Sequence, residues 1–176
     1  KDSDPVHKVS IISRGQAGGY TLKLPIEEVR LHTSSQFLAD LATAMGGYAA
    51  EKEMFGDITT GASNDIKVAS DLARKMVTRF GMSEKLGPMT FGESHEMIFL
   101  GKEISQGRNY SEKVAADIDK EVTGFIGKAF EMAKKIIRTN KQALEAIAKT
   151  LMEKETLEQE DFYNVLKPFN LKPLGI

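Results

Sequence analysis

The chain has 176 residues and no cysteine, and its 24 basic and 25 acidic side chains leave a net charge of −1. This length predicts one domain with its own core, and the absence of cysteine excludes disulfides and thiolate metal sites. Because the two signs of charge are mixed throughout, no basic stripe points to nucleic acid, and no run approaches the roughly 20 apolar residues of a membrane span. No signal peptide opens the sequence, so we expect a soluble piece.

Two short alternating segments follow the polar start of the chain. HKVSII and GYTLKL alternate apolar and polar residues, which is typical of strands, and the glycine-rich SRGQAG joins them. We predict a small β region, a hairpin, within residues 1–25. Because two strands are marginally stable alone, this hairpin should lie on helices or on another strand.

Residues 34–80 have the spacing of helices. In the first part, up to Gly56, apolar residues recur at three- and four-residue steps, but Gly46 and Gly47 lie inside the run. Each glycine costs about 1 kcal/mol relative to alanine in a helix. The pattern therefore predicts either an interrupted helix or a very close neighbour at this pair.

A second helix is predicted after TTGASN, with Ser63 or Asn64 as its N-cap and Gly81 just past its end. Asp65 lies in its first turn. The apolar positions form one stripe that must face a core: Ile66, Ala69, Ala73, Met76, Val77 and Phe80. Asp65 borders this stripe, and an acid aimed at an interior usually meets a cation or a hydrogen-bond donor there.

Spacing alone leaves two interpretations of Asp65 open. Acids are common in first helical turns, because the helix dipole favours negative charge there by about 0.3–1 kcal/mol. Alternatively, Asp65 is a metal ligand or a catalytic carboxylate. Glu51, in YAAEKEMF, is the other acid of interest. It can be half buried on a mostly apolar helix, although a solvated position is the default interpretation.

The remaining chain divides into a connector and three helices. Residues 82–108 contain glycines and two short apolar pieces, MTF and MIFL, which predict one or two small strands. Over residues 109–168, a long helix should begin near Asn109 with Glu112 closing a capping box. A second, antiparallel helix follows the break at 139–140. A third is predicted to start at Thr156, with Gln159 closing its box, and the last residues should be loose.

Few motifs with known chemistry are present. The three histidines are His7, His32 and His95, and HEMIF begins like the HExxH zinc motif but ends in Phe99. That motif needs two histidines four residues apart on one helix face, so a metal role for His95 is not favoured. The sequence contains neither a GxxxxGK[ST] phosphate loop nor a GxSxG nucleophile elbow.

Four segments in this order resemble one family over nearly the whole chain. They are DPVHKVSIISRG with GYTLKLP, GGYAAEKEMFG, TTGASNDIKVASDLARKMV with GMSEKLGP, and YSEKVAADIDKEV with LMEKETLE. Together they resemble the peptidase domain of the FtsH-type membrane-bound AAA+ zinc metalloproteases. The resemblance implies one peptidase domain over residues 1–176, mainly α, with a small N-terminal β-hairpin or sheet and a C-terminal bundle of three helices.

The resemblance also implies a zinc site. In this family, Zn²⁺ is held by two histidines of an HEAGH helix and by the aspartate of the GASND segment, which is Asp65 in this sequence. Glu51 matches the glutamate that supports a zinc-binding histidine, the usual outer-shell task of orienting the ring. The hairpin matches the sheet beside the cleft, whose edge could take up an extended protein substrate as an added strand.

The sequence also departs from the family pattern. The HEAGH helix should lie shortly before DPVHKV, but the sequence begins at Lys1. The two histidine ligands, the general-base glutamate, the transmembrane helices and the AAA+ module that binds ATP and Mg²⁺ are therefore absent from it. For the whole protein the resemblance implies a homo-hexamer that degrades unfolded or membrane proteins at the cytoplasmic face of a bacterial inner membrane, or in an organelle.

Two further expectations concern this chain by itself. One carboxylate cannot hold a catalytic zinc ion that needs three protein ligands, so the chain alone is predicted to be inactive. The alternative to a piece of a working protease is a non-catalytic homologue, in which the helical domain serves as an oligomerisation or scaffold module.

Overall fold

The structure is a computed structural model, and it describes residues 2–13, 15, 18–25, 31–92 and 110–171. Within these residues, six α-helices and three strands form the fold. The helices are α1 (Ser34–Ala44), α2 (Gly46–Phe55), α3 (Ser63–Thr78), α4 (Glu112–Thr139), α5 (Lys141–Lys154) and α6 (Gln159–Leu166). The strands are β1 (Val6–Ser10), β2 (Tyr20–Lys23) and β3 (Thr156–Glu158). The predicted fold class, mainly α with a small N-terminal sheet, is confirmed.

The main core lies between α4 and the first three helices. The apolar stripe of α4 packs against α1, α2 and α3, and the largest fully buried side chains there are Leu41, Met76 and Ile118. Fully burying a side chain of this size contributes about 1.5–3 kcal/mol each. Of the stripe predicted for α3, four residues are buried, but Ile66 and Phe80 at its two ends are 36% and 48% exposed.

The predicted interruption at the glycine pair is confirmed. Helix α1 ends at Ala44, and α2 begins at Gly46 after the single residue Met45. Met45 is only 5% exposed, so the junction is held in the core. Helix α2 contacts the turn at Thr60–Ala62 that precedes α3, where the candidate site lies.

The three strands form one antiparallel sheet in the order β2-β1-β3. The hairpin is expected to lie on helices or on another strand, and β3 is that strand. The capping box predicted at Thr156 is wrong, because Thr156 lies in β3 and α6 begins at Gln159. The free edge of β1 takes up this segment: Leu157 pairs with Val9 and is fully buried, and the hydroxyls of Ser10 and Thr156 are 2.9 Å apart.

Two other predicted helix ends also shift. Helix α4 begins at Glu112, and Ser111 rather than Asn109 caps it by accepting a hydrogen bond from the Val114 N–H. Helix α3 has Ala62 at its N-cap with no side-chain cap, so neither Ser63 nor Asn64 has that role. The backbone N–H of Ser63 donates instead to the Thr60 carbonyl of the preceding turn.

The connector after α3 is described only to residue 92. Gly81 lies three residues past the end of α3 with φ of +60°, and the Phe91 N–H donates to the Thr78 carbonyl over 2.8 Å. The predicted strand at 89–91 is not formed. The second predicted strand, at 97–100, and His95 lie outside the described residues.

The last two helices pack together. Helix α5 follows α4 after Asn140 alone, which confirms the predicted break. It packs chiefly against α6, however, and does not lie back along α4 as predicted. No helix in the described ranges is both long and apolar enough for a membrane crossing.

Candidate metal centre

Asp65 lies in the first turn of α3, directly after a 3-10 turn at Thr60–Ala62. Contrary to the sequence expectation, its side chain is exposed, and no hydrogen bond or ion pair joins it to another residue in the described part of the chain. The reason is geometric: side chains on a helix tilt toward its N-terminus, so a first-turn residue extends past the helix end rather than into the core.

The carboxylate of Asp65 faces the backbone of α2. A Cβ atom added at Gly47 would lie 3.8 Å from Asp65 Oδ2, an ordinary van der Waals contact. A carboxylate oxygen without a protein partner is the donor chemistry that zinc accepts. Asp65 thus fits a role as one metal ligand, although among the residues the structure describes no group of three His, Cys, Asp or Glu side chains comes together.

Glu51, the second predicted site residue, lies on α2 and is half buried, which is the alternative to the solvated position taken as the default. Both of its carboxylate oxygens are engaged by one residue, Thr59. The Thr59 backbone N–H donates to Oε2 over 2.7 Å, and the Thr59 hydroxyl donates to Oε1 over 2.8 Å. Glu51 therefore faces the loop that leads to Asp65 and is tied to it.

Thr59 is a residue of this site that sequence reasoning missed. Its Oγ1 also accepts a hydrogen bond from the Gly61 N–H over 3.1 Å, which closes the 3-10 turn before α3. A threonine two residues before a glycine is a recognised turn pattern, and TTG contains that signal. Gly61 is packed closely: a Cβ atom there would lie 3.2 Å from Thr59 Oγ1 and 3.3 Å from Glu51 Oε1.

Helix α2 is also fastened to α4 beside the candidate site. Arg138 donates from Nε and Nη2 to the two carboxylate oxygens of Glu53, over 2.6 and 2.9 Å. These hydrogen bonds lower the pKa of Glu53 and raise the pKa of Arg138. A bidentate pair of this kind fixes orientation as well as distance, so the helix that carries Glu51 is held in place from its other side.

The two described histidines have other surroundings. His7 is half buried in β1, and His32, just before α1, stacks on Phe37 with ring centroids 5.4 Å apart. Neither joins Asp65 or Glu51 in a metal-binding group within the described residues.

Comparison with known proteins gives the family. The sequence model of peptidase family M41 matches residues 1–165. The ATP-dependent zinc metalloprotease FtsH of Caldicellulosiruptor bescii is 49% identical over 161 residues, 92% of this chain and 26% of that relative. FtsH 1 of Thermomicrobium roseum is 53% identical over 156 residues, 89% of this chain and 24% of that relative. FtsH of Thermotoga maritima is 47% identical over 166 residues, 94% of this chain and 27% of that relative.

The chain thus spans about a quarter of the length of the curated relatives it matches. The matched part extends from before β1 into α6, and therefore includes both acids of the candidate centre. The chain belongs to peptidase family M41.

Proposed function

We propose that the whole protein is an ATP-dependent zinc metalloprotease and that this chain supplies part of its peptidase site. The observation that carries the proposal is the exposed carboxylate of Asp65, which has no partner among the described residues, on the helix that follows the loop bound to Glu51. The names of the relatives support zinc and ATP dependence for the intact protein.

Each acid has its own role in this proposal. Asp65 is a zinc ligand, and the other two protein ligands are histidines of an HEAGH helix that is not among these 176 residues. Glu51 supports one of those histidines by accepting a hydrogen bond from its ring. Bound zinc supplies Lewis acidity, which lowers the pKa of a water ligand toward neutrality and polarises the peptide carbonyl.

The proposal extends to partners. β2 is an edge strand of the sheet, and Leu22 and Leu24 beside this edge are 39% and 44% exposed, so an extended protein substrate could pair there. ATP and Mg²⁺ belong to a separate AAA+ module. In the whole protein we further infer a homo-hexamer anchored at the cytoplasmic face of a membrane, bacterial or organellar.

The test is substitution of Asp65 in the whole protein. Asp65→Asn keeps the size of the side chain but removes its charge, so we expect zinc content and proteolysis of an unfolded protein to be lost while ATP hydrolysis continues. Asp71→Asn is the matched control, because Asp71 is an exposed acid of the same helix without a partner among the described residues. Proteolysis retained by Asp65→Asn would remove Asp65 from the site.

The 176-residue chain alone should not cleave peptide bonds, since the family pattern assigns it one zinc ligand, Asp65, where three are needed, and no group of three candidate ligands forms among the described residues. Zinc near one equivalent per chain, together with proteolysis by this chain alone, would overturn that expectation. A whole protein that oligomerises normally but neither binds zinc nor cleaves protein would instead favour the scaffold alternative.

A further inference from the structure

We propose that Thr59 is a positioning residue of the zinc centre: its hydroxyl sets the Glu51 carboxylate and the first turn of α3, which carries Asp65, in one fixed arrangement. This inference rests on the proposed function. It adds to that function a residue that touches neither metal nor substrate and acts through both acids.

The direction of each hydrogen bond at Thr59 is determined by its partner. A carboxylate only accepts, so the single hydroxyl proton of Thr59 goes to Glu51 Oε1, over 2.8 Å. A backbone N–H only donates, so the oxygen of the same hydroxyl receives the Gly61 N–H, over 3.1 Å. One hydroxyl group therefore joins helix α2 to the turn that begins α3.

This turn determines where Asp65 lies. The 3-10 turn at Thr60–Ala62 runs without a break into α3, and the Ser63 N–H donates to the Thr60 carbonyl. Because α3 has no side-chain cap of its own, Thr59 takes that role one turn earlier. A displacement of Thr59 would change the direction in which α3 starts, and Asp65 would move with it.

The Thr59 hydroxyl has little free space on the side that faces Gly61. A Cβ atom at Gly61 would approach both Thr59 Oγ1 and Glu51 Oε1 to 3.2 and 3.3 Å, closer than an ordinary contact. The three residues are therefore packed as one unit. A carboxylate has about four acceptor positions, so Glu51 can hold Thr59 and still accept an imidazole N–H.

The experiment compares three variants in the whole, zinc-loaded protein. Thr59→Val keeps the shape and the backbone N–H but removes the hydroxyl, whereas Thr59→Ser keeps the hydroxyl. Thr60→Val is the matched control, since the Thr60 hydroxyl makes no hydrogen bond to a described residue. The measurements are zinc affinity by competition with a chelator, kcat and KM for an unfolded protein, and thermal unfolding without zinc.

Loss of an outer-shell contact typically weakens metal affinity about 10- to 100-fold. We expect Thr59→Val to weaken zinc binding within that range and to lower kcat with little change in KM. The zinc affinity of Thr59→Ser and of Thr60→Val should stay within about threefold of the wild-type value, a smaller change than the loss of an outer-shell contact produces. If Thr59→Val proves too unstable to isolate, Gly61→Ala, which crowds the same hydroxyl, should show the same loss of zinc affinity.

Two results would overturn the inference. Wild-type zinc affinity in Thr59→Val, with only a lower unfolding temperature, would reduce Thr59 to a structural residue. A loss in Thr59→Ser as large as in Thr59→Val would show that the hydroxyl is not responsible. Failure of the proposed function is distinguishable, because it would appear as zinc and proteolysis retained in Asp65→Asn, whatever the Thr59 variants do.

Discussion

The backbone N–H of Val6 donates a hydrogen bond to the hydroxyl of Tyr163 over 3.0 Å, across 157 positions of sequence. This bond joins the first strand to the last α-helix. Since β3 also pairs with β1, the C-terminal segment holds the N-terminal strand by backbone and side chain together. The N-terminal sheet is thus held in place by the far end of the described chain.

Tyr163→Phe removes this hydrogen bond and leaves the Val6 N–H without it. The expected loss in the free energy of unfolding is about 0.5–1.5 kcal/mol, measured by urea denaturation. Tyr48→Phe is the control, because the half-buried Tyr48 contacts the Phe130 ring but its hydroxyl has no hydrogen-bond partner among the described residues. Equal losses in the two variants would contradict the role given to Tyr163.

The pair of Glu53 and Arg138 should make stability depend on pH. Hydrogen bonds from Arg138 lower the pKa of Glu53 below its ordinary value of 4.5. A group whose pKa is lowered by folding adds stability above its unfolded pKa, and this is lost as pH falls through the folded value. We expect Glu53→Gln to be less stable than the wild type at neutral pH, with a difference that shrinks below 4.5.

The control for this pH dependence is Glu53→Gln in a protein that lacks the Arg138 guanidinium. In an Arg138→Ala background, Glu53→Gln should change stability little at either pH, because the partner that lowers the pKa is gone. A difference between wild type and Glu53→Gln that is constant from neutral to acidic pH would exclude the pair as its cause.

Ser83, the one serine of the GMSEKLGP segment, should be sensitive to substitution. It is 2% exposed, its hydroxyl donates to Glu121 Oε2 over 2.8 Å, and it accepts from the Leu86 N–H over 3.1 Å. Ser83→Ala leaves both partners short of a bond, so we expect a loss of about 1–3 kcal/mol, measured by urea denaturation. Ser63→Ala should cost less than about 0.5 kcal/mol, because Ser63 is exposed and caps nothing.

Substitution of two glycines with positive φ should distinguish the free-energy cost of the backbone conformation from the cost of steric crowding. Gly56 has φ of +72° and no atom within 4 Å of an added Cβ, so Gly56→Ala should cost about 1–2 kcal/mol for conformation alone. Gly81 has φ of +60°, but an added Cβ would lie 3.1 Å from Pro88 Cα. Gly81→Ala should therefore be the less stable variant in thermal unfolding, and the reverse order would be inconsistent with this packing.

Local patterns predicted much of this fold because local physics produces it. The apolar spacing of α3 and α4, the interruption at Gly46 and the hairpin all depend on residues near one another in sequence. The error at Thr156 occurs where a distant partner decides. The T-x-x-Q pattern at Thr156 is a sound capping signal, but β1 presents unpaired backbone groups to that segment, and pairing with them satisfies more hydrogen bonds than a cap does.

By itself, the sequence determined the helical class and the place of Asp65 in a first helical turn. It also identified Glu51 as a candidate site residue and, through its ordered motifs, the resemblance to a zinc protease family. Only the tertiary structure decided that Asp65 has no partner among the described residues, and that Thr59 holds Glu51. Helix periodicity is encoded within a few residues, whereas the partner of a side chain depends on which separate elements the fold brings together.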